Sequence, residues 1–319
     1  MGFGCVDVPT DASVLVLGGN GFIGRHAVAA LLEQGARVTI GSRVAGAGRT
    51  AIAVQVEGVQ VEQVRLHKRT RPQDWQEIVQ HYDVVLNCVG ILRQRWGESY
   101  AAVHHLAPAA LASACASQRS TGKTTRFIQV SALGLTATAR SRFLSSKWRG
   151  DEAVLATIGE CVVARLSLLD GEGGFGASWL RAVARLPAFI EPKSAKGKIA
   201  ALTAADAGQA LAELCLNVPV EPQSRSSRLF ELGGAHSYSF ADYIIGLRRR
   251  YATRPALKIT VPGWLARLAA HLCDQVHFSP FSFGHWELLC SDNVPTVNRL
   301  PELLGRAPEP VIDSAEVEP

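Results

Sequence analysis

Ser13-Val14-Leu15-Val16-Leu17-Gly18-Gly19-Asn20-Gly21-Phe22-Ile23-Gly24 decides how this 319-residue chain is read. An apolar run ended by glycine suits a strand buried on both faces of a parallel sheet. Ile23, Ala27, Val28, Leu31 and Leu32 then recur at helical spacing, and Gly35 stands where a helix stops. Arg37-Val38-Thr39-Ile40 is the next strand, so the unit is β-loop-α-β with a right-handed crossover. The loop fits G-x-G-x-x-G at Gly19, Gly21 and Gly24, and also G-x-x-G-x-x-G at Gly18, Gly21 and Gly24. One glycine turns the chain off the strand, one lets backbone approach a pyrophosphate, and the last lets helix and strand pack closely. Phosphates then sit on free N–H groups at the positive end of the helix. The alternative is a plain tight turn; the buried strand before it and the amphipathic helix after it weigh against that.

The end of the second strand bears on which dinucleotide fits. It reads Gly41-Ser42-Arg43, with no acid between Glu33 and Glu57. An acid there would hold an unphosphorylated ribose, whereas Ser42 and Arg43 suit a 2′-phosphate, with Arg25 as an additional cation. The default for any single arginine is a solvated surface position. The expectation is NADP(H), favoured over NAD(H).

The alternation continues. Strands are expected over 59–66, 83–88, 126–130 and 161–166. Helices are expected over 72–80, 98–118 (alanine-rich, with a kink or break at Pro108) and 143–158. This is an α/β chain with a doubly wound parallel (Rossmann) sheet. After Leu169 the texture changes: Gly171, Gly173, Gly174 and Gly176 crowd a loop, then come a helix over 178–186, a Pro/Lys-rich stretch over 187–198, and a strand–helix unit over 199–216. A strand over 228–232 and short helices follow. The division expected is 1–170 as an NADP(H)-binding Rossmann domain and 171–319 as a smaller mixed α/β C-terminal domain for substrate or partner, partly interleaved with the first. Residues beyond about 307 read as a loose acidic tail.

Composition excludes several classes. Charged residues are 19% and apolar residues 47%, against extensive disorder, and a net charge of +5 is too mild for a dedicated nucleic-acid binder. The seven cysteines include no C-x-x-C, and Cys88, Cys161 and Cys215 fall in or beside apolar runs. They read as reduced core thiols, with no disulfide framework and no metal site. No secretory signal and no apolar run of about 18 residues is visible, so the chain reads as cytoplasmic, with peripheral contact to a membrane left open.

Val16-Leu17-Gly18-Gly19-Asn20-Gly21-Phe22-Ile23-Gly24-Arg25-His26 resembles the short-chain dehydrogenase/reductase superfamily. The branch is the extended or atypical one, and the subgroup is similar to the nucleotide-binding accessory subunit of respiratory complex I. Asp83-Val84-Val85-Leu86-Asn87-Cys88-Val89-Gly90-Ile91-Leu92 resembles the fourth-strand motif, and Phe127-Ile128-Gln129-Val130-Ser131-Ala132-Leu133-Gly134 the fifth. Ser146-Lys147 resembles the helix of the superfamily's lysine. Arg228-Leu229-Phe230-Glu231-Leu232-Gly233-Gly234 and Leu288-Leu289-Cys290-Ser291-Asp292-Asn293-Val294 resemble C-terminal motifs. The resemblance implies cofactor contacts from the 18–25 loop, Ser42, Arg43, Asn87, Cys88, Val89, Gly90 and Lys147. It also implies a Ser…Tyr-x-x-x-Lys set, in which Tyr moves the substrate proton, Lys lowers its pKa and binds ribose, and Ser orients the substrate oxygen. Ser131 and Lys147 match, but the tyrosine position is Phe143, which has no proton to give. The third strand runs Leu66-His67-Lys68-Arg69 without the acid found near adenine, and Arg165-Leu166-Ser167 lacks the proline of the family's loop.

Other candidates carry less. Adjacent His104 and His105 point about 100° apart on a helix, which is poor geometry for one metal; His104 is a weaker candidate for a substitute acid than for a structural role. Tyr82 and Tyr100 have no marking spacing, and Ser145 and Ser146 are poor acids without a base. Lys193, Lys196 and Lys198 read as a solvated strip rather than an anion site. Trp264, Leu265, Leu268 and Leu272, followed by Phe278, Phe281, Phe283 and Trp286, read as the core of the smaller domain in preference to a membrane-surface, quinone-facing or partner helix. Arg248-Arg249-Arg250 suits anionic lipid or a helix end. Two functions stay open: an oxidoreductase moving hydride to or from a carbonyl or quinone-like substrate, and a non-catalytic NADPH-binding accessory, assembly or redox-sensing factor.

Overall fold

The computed structural model describes residues 11–43, 59–118, 122–218, 224–251, 254–275 and 281–312. Cys5 and Phe278 lie outside them. Strands β1 (Ser13–Leu17), β2 (Arg37–Ser42), β3 (Gln60–Gln63), β4 (Val84–Asn87), β5 (Arg126–Ala132), β6 (Cys161–Leu166) and a later strand, β11 (Leu229–Leu232), form one parallel sheet in the order β11-β6-β5-β4-β1-β2-β3. Alternation within each strand splits the core into two layers. Val14, Val16, Val84, Leu86, Ile128 and Val162 face α1 (Phe22–Glu33) and the later helix α6 (Ala204–Leu216). Leu15, Leu17, Val85, Phe127 and Val163 face Trp75 and Ile78 of α2 (Gln73–Val79), then α3 (101–117) and α4 (Arg142–Ala156).

Helix α3 opens with one and a half turns of π-helix, Ala101–Leu106, and continues as α-helix over Ala107–Ser117. The expected break at Pro108 is instead absorbed there, because the wide opening places proline at the second position of the α-helical part, where its missing N–H costs nothing. Gly150 of α4 (Arg142–Ala156) packs so closely on the His104 carbonyl that any Cβ would collide with it. The strand expected over 59–66 shortens to β3 and turns through a 3-10 element at Leu66–Lys68.

The C-terminal half contributes short strand pairs: β7 (Leu169–Asp170) with β10 (Leu202–Thr203), β8 (Ala188–Pro192) with β13 (Leu257–Val261), and β9 (Lys198–Ile199) with β12 (Tyr238–Ser239). Helices α5 (Phe175–Arg185) and α7 (Phe240–Arg249) enclose a separate core of Leu180, Phe189, Tyr243 and Ile244. β11 returns to the main sheet beside β6. Two expectations change, and one of two open readings is chosen. Residues 307–312 are not loose: Val311 and Ile312 are buried, and the buried Asp206 carboxylate accepts from Arg306 at 2.6 Å and from the Glu309 amide at 2.8 Å. The stripe on α8 (Gly263–Gln275) is not core. Ala266 and Ala270 are the buried residues, while Trp264, Leu265, Leu268 and Leu272 are exposed, because the helix packs through its small residues. Arg248 is buried and donates to the carbonyls of Ala184 and Leu186 at the end of α5, so it closes a helix rather than facing outward.

Candidate active site

The C-terminal edge of the sheet carries the glycine turn. Gly18 has φ 75° and its amide donates to the Gly41 carbonyl at 3.0 Å, tying the tip of β1 to β2. The Gly21 amide donates to the Gly18 carbonyl at 2.8 Å. A Cβ on Gly24 would strike that same carbonyl and lie 2.7 Å from the Gly19 Cα. Gly21 caps α1 in an extended conformation with no side-chain cap, so the first amides of the helix point out of its end. Asn20 Oδ1 is buried without a partner among the described residues. A glycine cradle, open helix amides and an orphaned amide oxygen fit the diphosphate of a dinucleotide.

The tip of β4 adjoins this turn, at the point where strand order reverses. Asn87 is fully buried, donates to Gln129 Oε1 at 2.8 Å and accepts from the Val89 amide at 3.1 Å, shaping the exit toward Gly90. Cys88 donates its amide to the Leu17 carbonyl, and Val89 packs on Gly18. Arg43 projects from the end of β2 next to Ser42, with its side chain 58% exposed. Its Nη1 donates to both oxygens of Glu98, at 2.9 and 3.1 Å, and His67 Nδ1 lies 3.5 Å from the same carboxylate. Glu98 thus supplies an acid at the β2 tip from 55 residues away. Arg25 instead lies against Gly173 and over the Phe22 ring at 5.5 Å.

At the other end, Ser131 of β5 is buried opposite Arg165 of β6. Its hydroxyl bonds the Asp151 carboxylate, which also accepts from Arg165 Nε at 2.8 Å. Burial raises the Asp151 carboxyl above its ordinary value against the pull of Arg165 and Ser131. Lys147, one turn before Asp151 on α4, is half-buried; desolvation lowers its ammonium pKa and Asp151 opposes that. A Cβ on Gly90 would lie 3.9 Å from Lys147 Nζ and 4.0 Å from His104 Nε2, so these groups border one space.

Phe143 closes that space with an aromatic cluster. Its ring centroid lies 5.7 Å from Tyr100, 5.5 Å from His104 and 5.8 Å from His285, with Lys147 Nζ 5.8 Å away over its face. The His104 ring has both nitrogens engaged. Nε2 accepts from the Ile91 amide at 3.1 Å, so Nδ1 carries the proton toward Ser146 Oγ at 3.0 Å, and Ser146 donates to the Phe143 carbonyl at 2.8 Å. Burial and Lys147 push its pKa well down. His104 is therefore a neutral structural group. His105 faces Arg149, and no cluster of three potential metal ligands occurs among the described residues.

Helix α9 (Phe283–Leu289) covers the cluster. Gly284 lies on Phe143, Ser282 Oγ is 2.6 Å from His285 Nδ1, and Glu287 accepts from the amides of Arg140 and Ser141 at 2.7 and 2.9 Å at the start of α4. Arg93, after β4, donates to Asp274 of α8 at 2.7 Å and to the Phe281 carbonyl at 2.7 Å. Sequence reading missed Glu98, Asp151, His285 and Glu287; of these only Asp151, four residues after Lys147, had a helical-spacing signal. Tyr82 donates to Glu62 at 3.0 Å, and Ser145 is half-buried on α4. Lys193, Lys196 and Lys198 are exposed on a turn whose Gly197 amide donates to the Leu289 carbonyl.

A doubly wound sheet with this glycine turn at its C-terminal edge is the fold of a dinucleotide-binding Rossmann protein. Within that fold, residues 14–145 match the NAD dependent epimerase/dehydratase family. It is 27% identical over 208 residues to the ceramide reductase of Caulobacter vibrioides, covering 65% of this chain and 62% of that one, so the match spans about three fifths of the relative. Solved structures share the fold at low identity. The Helicobacter pylori ADP-L-glycero-D-manno-heptose-6-epimerase has a TM-score of 0.65 and 14% identity, over 98% of this chain and 96% of that one. The Bordetella bronchiseptica enzyme WbmG, in complex with NAD, has a TM-score of 0.64 and 14% identity, over 96% and 91%.

Proposed function

We propose that the chain is an NADP(H)-preferring reductase acting on a carbonyl of an apolar, lipid-like substrate, with Lys147 in place of the missing tyrosine as proton donor. When bound, the nicotinamide dinucleotide supplies or takes up the hydride. The 18–24 turn holds its diphosphate, and Ser42 and Arg43 receive the 2′-phosphate. Asn87, Cys88, Val89 and Gly90 line the passage to Lys147. Arg43 is more than half exposed at its site, and a phosphate would compete with Glu98 for a guanidinium already aimed by it.

The observation that carries the reading is the Lys147–Ser131–Asp151–Arg165 array. Lys147 has a lowered ammonium pKa beside an open space at Gly90, which makes it a better acid than an ordinary lysine. The proton passes from its ammonium to the carbonyl oxygen, and the amine regains one from solvent. Asp151, anchored by Arg165, opposes the desolvation of Lys147 and so favours its charged form, and it orients Ser131. The Caulobacter relative supports a reductase and a lipid substrate class. Phe143, packed among Tyr100, His104 and His285, favours a second reading: an accessory or redox-sensing protein in which the nucleotide is structural. Calorimetric titration with NADPH and NADH, followed by assay of long-chain ketones and quinones, tests both. Exchangeable NADPH oxidised by a ketone supports the reductase; tight NADPH never oxidised supports the second reading.

A further inference from the structure

We propose that the outer face of α8, with the adjoining strand β13, lies on an anionic lipid surface. Monomeric proteins seldom expose a continuous apolar face of this kind without a use for it. On α8, Trp264 is 69% exposed, Leu268 50% and Leu272 60%, and they fall on one side of the helix with Leu265. Leu257 and Ile259 of β13, 67% and 44% exposed, precede them in the chain. The inward side of α8 is already used, through Ala266 and Ala270 and through His271, whose ring stacks on Phe283 at 4.3 Å. What remains is a helix with apolar residues outward and tryptophan at its first turn, the arrangement that suits an interface between water and acyl chains.

Charge selects the occupant. The segments 186–198 and 254–275 hold six basic residues (Lys193, Lys196, Lys198, Arg254, Lys258 and Arg267) against two acidic ones, Glu191 and Asp274. Both acids are engaged, Glu191 with Lys258 at 3.1 Å and Asp274 with Arg93 at 2.7 Å. The 193–196 turn sits at the start of α8, since the Lys193 amide donates to the Val261 carbonyl and Gly263 lies against Ser194. Lys193 and Lys196 therefore stand beside Trp264, exposed and facing solvent with it. Apolar residues flanked by surplus positive charge are complementary to anionic headgroups over acyl chains. Docking there would put the α8–α9 pair between the bilayer and Phe143.

The test is sedimentation of the full chain with vesicles of phosphatidylcholine alone and of phosphatidylcholine containing phosphatidylglycerol, at low and high salt. The expected result is binding to the anionic vesicles only, weakened by salt. Leu268→Glu with Leu272→Glu, both solvent-exposed positions, should lower it by about tenfold or more, with an unchanged melting temperature. Lys193→Glu with Lys196→Glu, which leaves the helix intact, should lower it on the order of tenfold. Failure to bind anionic vesicles at low salt overturns the proposal. So does a dimer in solution that Leu268→Glu converts to monomer, since the face would then be a self-interface. Docking requires neither nucleotide nor turnover, so either failure leaves the reductase reading standing.

Discussion

Arg43 and Glu98 meet at 2.9 Å beside the glycine turn, one from the tip of β2 and the other from the loop before α3. The cation suits a 2′-phosphate, while the carboxylate opposes one and suits a ribose hydroxyl. In the proposed reading, their balance sets the nucleotide preference.

Arg43→Ala should weaken NADPH binding by about tenfold or more and leave NADH nearly unchanged, because a charge-assisted bond to phosphate is lost. Glu98→Gln should tighten NADPH a few-fold. Calorimetry with both nucleotides reads this; equal losses for NADPH and NADH in Arg43→Ala would put the phosphate elsewhere.

Gly24→Ala should abolish nucleotide binding and destabilise the fold by about 1–3 kcal/mol, since its Cβ meets Gly18 and Gly19 backbone. Gly176→Ala, in α5 with open space around it, should be neutral or stabilising by roughly 0.5–1 kcal/mol. Thermal melts compare the two; an equally harmless Gly24→Ala would contradict the close packing.

Lys147 as acid requires the protonated form. Reductase kcat/KM should therefore fall as pH rises through its lowered pKa, and Lys147→Ala should remove turnover. Phe143→Tyr places a phenol beside Lys147 and should raise the rate and change the pH profile. A Phe143→Tyr variant that binds NADPH yet reduces nothing across a broad carbonyl panel would show that the pocket is not catalytic.

His285 and His104 are neutral in the folded state, His285 with its pKa lowered by burial to about 4 and His104 well below 6.5. Unfolded histidine binds protons near 6.5, so the unfolded chain gains protons first as pH falls. Stability should be at its full value above about 6.5 and decline toward pH 4, by on the order of 3 kcal/mol for His285, with His104 acting in the same direction. His285→Phe should flatten that decline in urea melts at pH 7 and 5; an unaltered slope would mean that His285 is not buried in its neutral form.

Arg93→Ala should free the α8–α9 hairpin at a cost of about 1–2 kcal/mol, since Arg93 holds both Asp274 and the Phe281 carbonyl. Amide exchange should quicken over 263–275 and 283–289 and stay unchanged in β1. Uniform quickening would mean that the clasp acts on the whole fold.

The parallel sheet and the glycine turn were legible in the sequence, because a buried strand, a helix N-terminus and the glycines between them interact over a few residues. Ser131, Lys147 and the phenylalanine at 143 were singled out by the family resemblance alone, since no local pattern marks them. Pro108 was read as a break because a local rule cannot foresee a π-turn that absorbs it. The α8 stripe was read as core because helical periodicity marks an apolar face without saying what covers it.

By itself, then, the sequence determined the sheet, the turn that fits a diphosphate, and a phenylalanine at 143. Only tertiary structure decided that Glu98 meets Arg43, that Asp151 joins Ser131 to Arg165, that α9 closes over Phe143, and that Leu268 and Leu272 face outward. Each of these relations joins segments far apart in the chain, or depends on which of two apolar faces finds a partner. That choice is made by packing and by the pairing of buried charge, which no short stretch of sequence contains.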